Sequence, residues 1–421
     1  MTDHVIQDVL AVPVAGGYFF DDQAAIRAGA GRDGGRYLGS PVTPGFAQVR
    51  EPAEAVSVLL RLSDGKVVVG DCATVQYSGV AGREPRLQAK ELAEAIETRV
   101  APRLRGLPVG RYRQADQTAQ AICAAVLKNP LAAGYGLSQA LLAAAAHVAG
   151  HEMMAWTLQQ EWGIDTPLRR LPLYAQSGEA RRGNVDTMIM KRVGVLPHGL
   201  INTPDLVGPD GDTLAAYVAW VAERIDTIGA ADYAPELHFD VYGLVGAAAG
   251  GELDGTVEIL LRLERAAGRH PIRIEHPIDA GSREGQISAL AGIRARLAER
   301  GSRLRIVADE WANTVEDIGA FCAAGAADLI QVKTPDLGSL TNTVEAALCC
   351  AAHDVGVVLG GTCTETDVSA RATTHVGLAI GATQILAKPG MGVDEPLMIV
   401  GNEMARCLRM DAWGRPGGRR G

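Results

Sequence analysis

Eight short apolar runs after residue 165 constrain this chain more than any other feature: "LPLYAQ", "VLPHGLIN", "ELHFDVYG", "IRIEHP", "LRIVADE", "LIQVKTP", "VGVVLGGT" and "TQILAKPG". The segments between them, such as "TLAAYVAWVAERIDTIG", "ISALAGIRARLAERG" and "TNTVEAALCCAAHDVG", carry apolar residues at helical spacing, and the last two end at a glycine as helices often do. Strand and helix alternating eight times over roughly 220 to 250 residues is the pattern of a (β/α)8 TIM-type barrel, an α/β fold. An open doubly wound sheet is the competing α/β architecture.

The runs finish in polar residues: Gln176, His198, Asp240, Glu275, Asp309, Lys333, Thr362 and Lys388. In a barrel the C-terminal strand ends open onto one face, so these residues converge there. Asp240, Glu275 and Asp309 end the third, fourth and fifth runs, 35 and 34 residues apart. Neighbouring strands lie ~4.8 Å apart, so the three carboxylates meet. Taken singly, each is explained by a loop acid or a helix cap. Three together repel one another unless a cation intervenes. All-oxygen ligation suits a hard divalent ion such as Mg2+, so the three are read as metal ligands.

Lys333 ends the sixth run beside this cluster, where it is either a salt-bridge partner or a general base whose pKa a nearby cation lowers. Gln331, two residues earlier, shares its face and is placed to bind substrate oxygen. His198 ends the second run, on the other side of the cluster. A lone histidine is more often structural, but a base there would meet a substrate from the opposite side.

Residues 1–165 read differently. "SVLLRLSDGKVVVGDCATVQYSG" is a strand, an Asp-Gly turn and a second strand. "LQAKELAEAIETRVAPRL" and "GLSQALLAAAAHVAGHEMMAWTLQQEW" have helical spacing, giving a small α+β domain in which the Gly-rich "IRAGAGRDGGRYLGSP" forms a loop. The barrel is expected over 166–413 and a flexible Gly/Arg-rich tail over 414–421. A net charge of -9 disfavours nucleic acid or an anionic membrane as partner and favours a small metabolite. The most apolar helix-like stretch, "ALLAAAAHVAG", falls short of a membrane span, and no basic, apolar secretion signal is visible. Seven cysteines without a CxxC pair or zinc-ligand spacing fit a cytoplasmic location. "GAGRDG" follows no apolar strand and "HVAGH" lacks a zinc protease's glutamate, so neither is read as a site.

The stretches "YAQSGEARRGNVDTMIMKRVGVLPHGLIN", "HFDVYG", "VADEW", "QVKTPDLG", "GGTCTETD" and "LAKPGMGVDE", with "GYFFDDQAAIRAGAGRDG" and "GDCATVQYSG" upstream, closely resemble the methylaspartate ammonia-lyase family of the enolase superfamily. The resemblance runs in order over nearly the whole chain. It implies a capping domain over the barrel, one Mg2+ per subunit, a monovalent activator such as K+, a homodimer, and reversible loss of ammonia from threo-3-methyl-L-aspartate to give mesaconate. By position, Asp240, Glu275 and Asp309 match metal ligands. Lys333 matches the base for the (2S,3S) substrate, and His198 the base on the opposite face for the 3R epimer. Gln176, Gln331, Thr362 and Cys363 match substrate-binding positions, and Gln76 and Leu386 match positions shaping the pocket. Three residues depart from the family pattern: His276 stands where glycine is expected, Val358 where a tyrosine often lines the pocket, and Tyr174 where phenylalanine is frequent. The motifs outside the triad argue against a racemase or acid-sugar dehydratase of the same superfamily. The intact triad and Lys333 argue against a non-catalytic barrel.

Overall fold

The computed structural model describes residues 4–414. Apart from Gly414, the expected tail lies outside them. The first domain holds five strands: β1 (Ile6–Asp21), β2 (Arg32–Asp33), β3 (Arg36–Tyr37), β4 (Arg50–Leu62) and β5 (Val67–Cys72). β1, β4 and β5 form an antiparallel sheet in that order. Val56, Val58, Leu60 and Leu62 alternate into the core along β4, the period-2 pattern of a sheet with one buried face.

The helix Leu131–Ala149 covers this sheet. It is longer than the apolar stretch quoted above and passes a membrane span's test of length and composition, but 78% of its most apolar window is buried inside the protein. Here it is a core helix. It stops at Gly150 in a left-handed conformation, so His151 lies beyond its end and does not share a helix face with His147.

Several expectations about this domain are corrected. β1 is an element the sequence reading did not identify, and its exposure follows no clean alternation. Its register shifts between Ala15 and Phe19, around Gly16 and Gly17. A Cβ on Gly17 would sit 2.4 Å from Pro389 Cβ and 2.8 Å from the Cys363 carbonyl oxygen, so only glycine lets this bulge press onto the barrel loops. The Gly-rich segment is not a plain loop but carries the β2–β3 ribbon. The helical stretch from residue 87 to 104 is interrupted by a π-helical turn, Ile96–Val100.

The second domain is a closed parallel barrel: β6 (Leu173–Tyr174), β7 (Val195–His198), β8 (Glu236–Asp240), β9 (Ile272–Glu275), β10 (Arg305–Ala308), β11 (Leu329–Val332), β12 (Gly356–Leu359) and β13 (Gln384–Leu386). The strands pair in sequence order, and β13 closes on β6, which excludes the open sheet. All eight apolar runs are strands. Gly356 does not end a helix; that helix stops at Ala352, and Gly356 opens β12. Tyr174, Val195, Val307, Leu329, Val358 and Leu386 form one buried cluster inside the barrel. Tyr174 and Val358, the two departures in this layer, are thus neighbours in one packed cluster, and Val358 does not line the pocket.

Candidate active site

β8 and β9 end in register, with Asp240 opposite Glu275, and Asp309 directly follows β10. One carboxylate oxygen from each of the three comes within 4.8 Å of the others, and all three residues are buried. Burial raises the pKa of Asp240 and Glu275 well above the usual range, and mutual repulsion among the acids adds to it. Asp309 is pushed up to about 7 by burial and by Glu310. Its Oδ1 is buried and without a hydrogen bond. Three converging, desolvated carboxylates with a spare oxygen fit a hard divalent cation, whose octahedral ligand oxygens lie about 3 to 4 Å apart.

Glu275 is held on both oxygens. His238 Nε2 lies 2.8 Å from Oε2, and the Gln331 amide donates to Oε1 at 3.1 Å. Burial keeps His238 neutral, with its pKa far below normal. Its Nδ1 accepts from the Gln384 amide at 2.9 Å, so its proton sits on Nε2 and is donated to Glu275. The Tyr174 ring stacks on this histidine, with centroids 4.2 Å apart.

Lys333 follows β11 and sets Nζ 2.6 Å from Asp309 Oδ2. Burial and Arg83 alone would lower its pKa, but Asp309, Glu310 and Asp336 outweigh them and hold the ammonium above its usual value. The salt bridge weighed from sequence is therefore present. His198 ends β7 with Nε2 3.6 Å from Asp240 Oδ2. Burial, followed by Lys333 and Arg181, lowers its pKa to about 3, so it is a neutral imidazole at pH 7. β7 and β11 stand four strands apart in a ring of eight, which sets His198 and Lys333 on opposite sides with the carboxylates on the arc between.

A pocket of about 470 Å³, partly open to solvent, is lined by Gln76, Gln176, His198, Asp240, Glu275, Gln331, Lys333, Thr362, Cys363 and Leu386. Every site residue read from the sequence lies here or, as Asp309 does, in the carboxylate cluster beside it. Lys388 does not. It is fully buried and paired with Glu365 at 2.9 Å.

The first domain supplies the roof. The Gln76 amide donates to Asp21 at 2.7 Å and accepts from the Cys363 thiol at 3.3 Å, while Arg50 binds Asp21 through two 2.7 Å contacts. Burial pushes the Cys363 thiol up, so it stays protonated and able to donate.

Arg83 was missed from the sequence. It enters the pocket from the roof and reaches Asp336 at 2.7 Å, Glu310 at 3.2 Å and Asp309 at 3.7 Å. No local pattern marks it, since its partners come from loops more than 200 residues away. His276 faces Glu310 at 3.1 Å, with φ at 49°. Tyr242 and Trp311 share this left-handed backbone just past Asp240 and Asp309. A glycine at 276 would suit that conformation without strain, which explains the expectation the histidine departs from.

The site is thus a closed barrel under an α+β cap, with three acids gathered at the strand ends between a lysine and a histidine. The fold is shared with the muconate lactonizing enzyme of Pseudomonas fluorescens, at TM-score 0.60 and 18% identity over 94% of this chain and 88% of that one. Much closer likeness lies elsewhere. Family profiles described as methylaspartate ammonia-lyase N-terminus and C-terminus match residues 4–163 and 166–412. Methylaspartate ammonia-lyase 1 of Carboxydothermus hydrogenoformans is 47% identical over 404 residues, 96% of each chain. A crystal structure of Citrobacter amalonaticus methylaspartate ammonia lyase containing (2S,3S)-3-methylaspartic acid superposes at TM-score 0.94 and 42% identity, covering 97% of this chain and 100% of that one. A Mg complex of β-methylaspartase from Clostridium tetanomorphum superposes at 0.90 and 44% identity, covering 97% and 99%. This chain belongs to the methylaspartate ammonia-lyase family and is an ammonia-lyase.

Proposed function

We propose that this chain eliminates ammonia reversibly from threo-3-methyl-L-aspartate to give mesaconate, using one Mg2+ per subunit held by Asp240, Glu275 and Asp309. The opposed placement of Lys333 and His198 about the three acids carries this reading. The C3 proton is acidified only by the adjacent carboxylate, so its removal doubles the charge there. Bound at the three acids, Mg2+ supplies the positive charge that offsets it.

A cation held by the three acids would offset the charges that keep Lys333 protonated; as the neutral amine, Lys333 takes the C3 proton of the (2S,3S) substrate on Nζ and holds it while the C2–N bond breaks and ammonia leaves. His198, neutral at working pH, is the base for the 3R epimer on the other face. Gln331 and Gln176 orient substrate carboxylate oxygens, and Thr362 and Cys363 donate from the loop after β12. Gln76 and Leu386 bound the space for the amine and the methyl group. The enzyme acts as a cytoplasmic homodimer activated by a monovalent cation such as K+.

The test follows mesaconate by its ultraviolet absorbance when purified protein meets threo-3-methyl-L-aspartate with and without Mg2+. A Mg2+-dependent rise that Lys333→Ala abolishes is expected; no rise with Mg2+ and K+ present overturns the assignment. Calorimetric titration of Mg2+ into the protein and into Asp309→Asn checks the metal site apart from turnover.

A further inference from the structure

The reaction leaves unused a second group of ligand-type side chains on the outside of the barrel. Cys322 lies on the helix Val315–Ala323, after β10, and Cys349 and Cys350 lie in the last turn of Leu340–Ala352, after β11, with His353 as its C-cap. These two outer helices pack against each other. One ligand atom from each of Cys322, Cys349 and His353 falls within 4.8 Å of the others, a limit the three acids of the active site also meet. All the cysteines are free thiols.

We propose that Cys322, Cys349 and His353 bind a thiophilic divalent ion of the Zn2+ class, with the fourth tetrahedral position left to solvent. Zinc ligands at about 2.3 Å stand about 3.8 Å from one another in a tetrahedron, so the group needs only small side-chain rotations to close. Cys349 and His353 are four apart at a helix end, the spacing that sets two ligands on one face. Cys349 Sγ packs over the opposing helix at Gly319, where a Cβ would meet it at 3.6 Å. His353 Nδ1 lies 2.9 Å from the Cys349 carbonyl oxygen. A proton donated there leaves the lone pair on Nε2, the arrangement that orients metal-binding imidazoles.

The exposed His353 and half-buried Cys349 give an ion a path from solvent. Cys350 Sγ stands behind, 3.9 Å from Cys322 Sγ, far beyond the ~2.05 Å of a disulfide. The other cluster of this kind, His375, Glu403 and Cys407, is a poorer candidate because Arg371 and Arg406 already bind the Glu403 carboxylate. The sequence hid the site because no single segment carries the ligand spacing. Thiolate and imidazole ligands suit zinc and not magnesium, so the two centres take different metals.

The test titrates Co2+ into reduced full-length protein kept in excess Mg2+. One equivalent is expected to raise thiolate-to-cobalt charge-transfer absorption, which one equivalent of Zn2+ then displaces. Cys322→Ser should abolish the band. His353→Ala, a change at an exposed residue, should weaken Co2+ binding by about tenfold or more, while Cys407→Ser leaves it unchanged. Absence of the band, its survival in both Cys322→Ser and His353→Ala, or its loss in Cys407→Ser would overturn the assignment.

Discussion

Replacing Lys388 with methionine should destabilise the protein by about 3 kcal/mol, because it strands a buried carboxylate. Lys388 Nζ is bound to Glu365 Oε1 at 2.9 Å, the Gly360 carbonyl at 2.8 Å and Thr334 Oγ1 at 3.4 Å. Both charged side chains are fully buried. After the change Glu365 keeps two donors, the Tyr135 hydroxyl at 2.6 Å and the Thr362 N–H at 3.0 Å. That sets the loss at the lower end of the roughly 3 to 5 kcal/mol typical for breaking a buried pair. Glu365→Gln in the same background removes the stranded charge and retains an acceptor for Tyr135, so the double variant should be more stable than Lys388→Met alone. A double-mutant cycle by urea denaturation should return a coupling of about 2 kcal/mol. The pair also holds the loop carrying Thr362 and Cys363, so KM for the amino acid should rise in Lys388→Met under conditions where it remains folded. Additivity of the two changes within about 0.5 kcal/mol would refute the reasoning.

Gly17→Ala should cost about 1 to 3 kcal/mol and raise KM, because its Cβ meets Pro389 and the Cys363 carbonyl, whereas Gly35→Ala, with nothing within 4 Å, should leave the unfolding midpoint almost unmoved. Burial pushes Glu84 up to about 7 although its carboxylate accepts from the Leu131 N–H. A raised acid pKa means the folded state holds the proton more tightly. The protection is therefore complete below the ordinary glutamate range and is lost as pH rises through about 7. Glu84→Gln should thus gain stability relative to the parent as pH climbs from about 4.5 to 8, and a constant offset across unfolding curves at several pH values would contradict this. At position 276, where φ is 49°, glycine should be tolerated within about 1 kcal/mol, while a β-branched valine should cost clearly more; equal thermal midpoints would remove the role given to the backbone.

The barrel was legible because each strand is a short apolar run stopped by a polar residue, and the parallel topology forces those stops together. Asp240, Glu275 and Asp309 could be placed without coordinates for that reason. What escaped were features set by contacts distant in sequence. Arg83 belongs to a loop of the first domain with no pattern of its own. β1 reads poorly because its exposure is irregular and its two glycines resemble a turn, although they answer to the barrel loops across the seam. The Cys322 group stayed hidden because its ligands come from two helices. The departures at Tyr174 and Val358 could be noticed along the chain, but only the fold shows that they pack in one cluster.

Gln76 and Arg83 descend from the cap while the acids, Lys333 and His198 rise from the barrel, so the site is inherited in two pieces that must match. A chimera that joined this cap to a relative's barrel would bring the acids, the lysine and the histidine over as one unit. Its fitness would be decided at the seam, by whether Gly17 still clears the loop at Pro389 and Tyr135 still finds Glu365. Recombination near residue 165 therefore offers a way to vary which amino acid is accepted while leaving unchanged how it is taken apart.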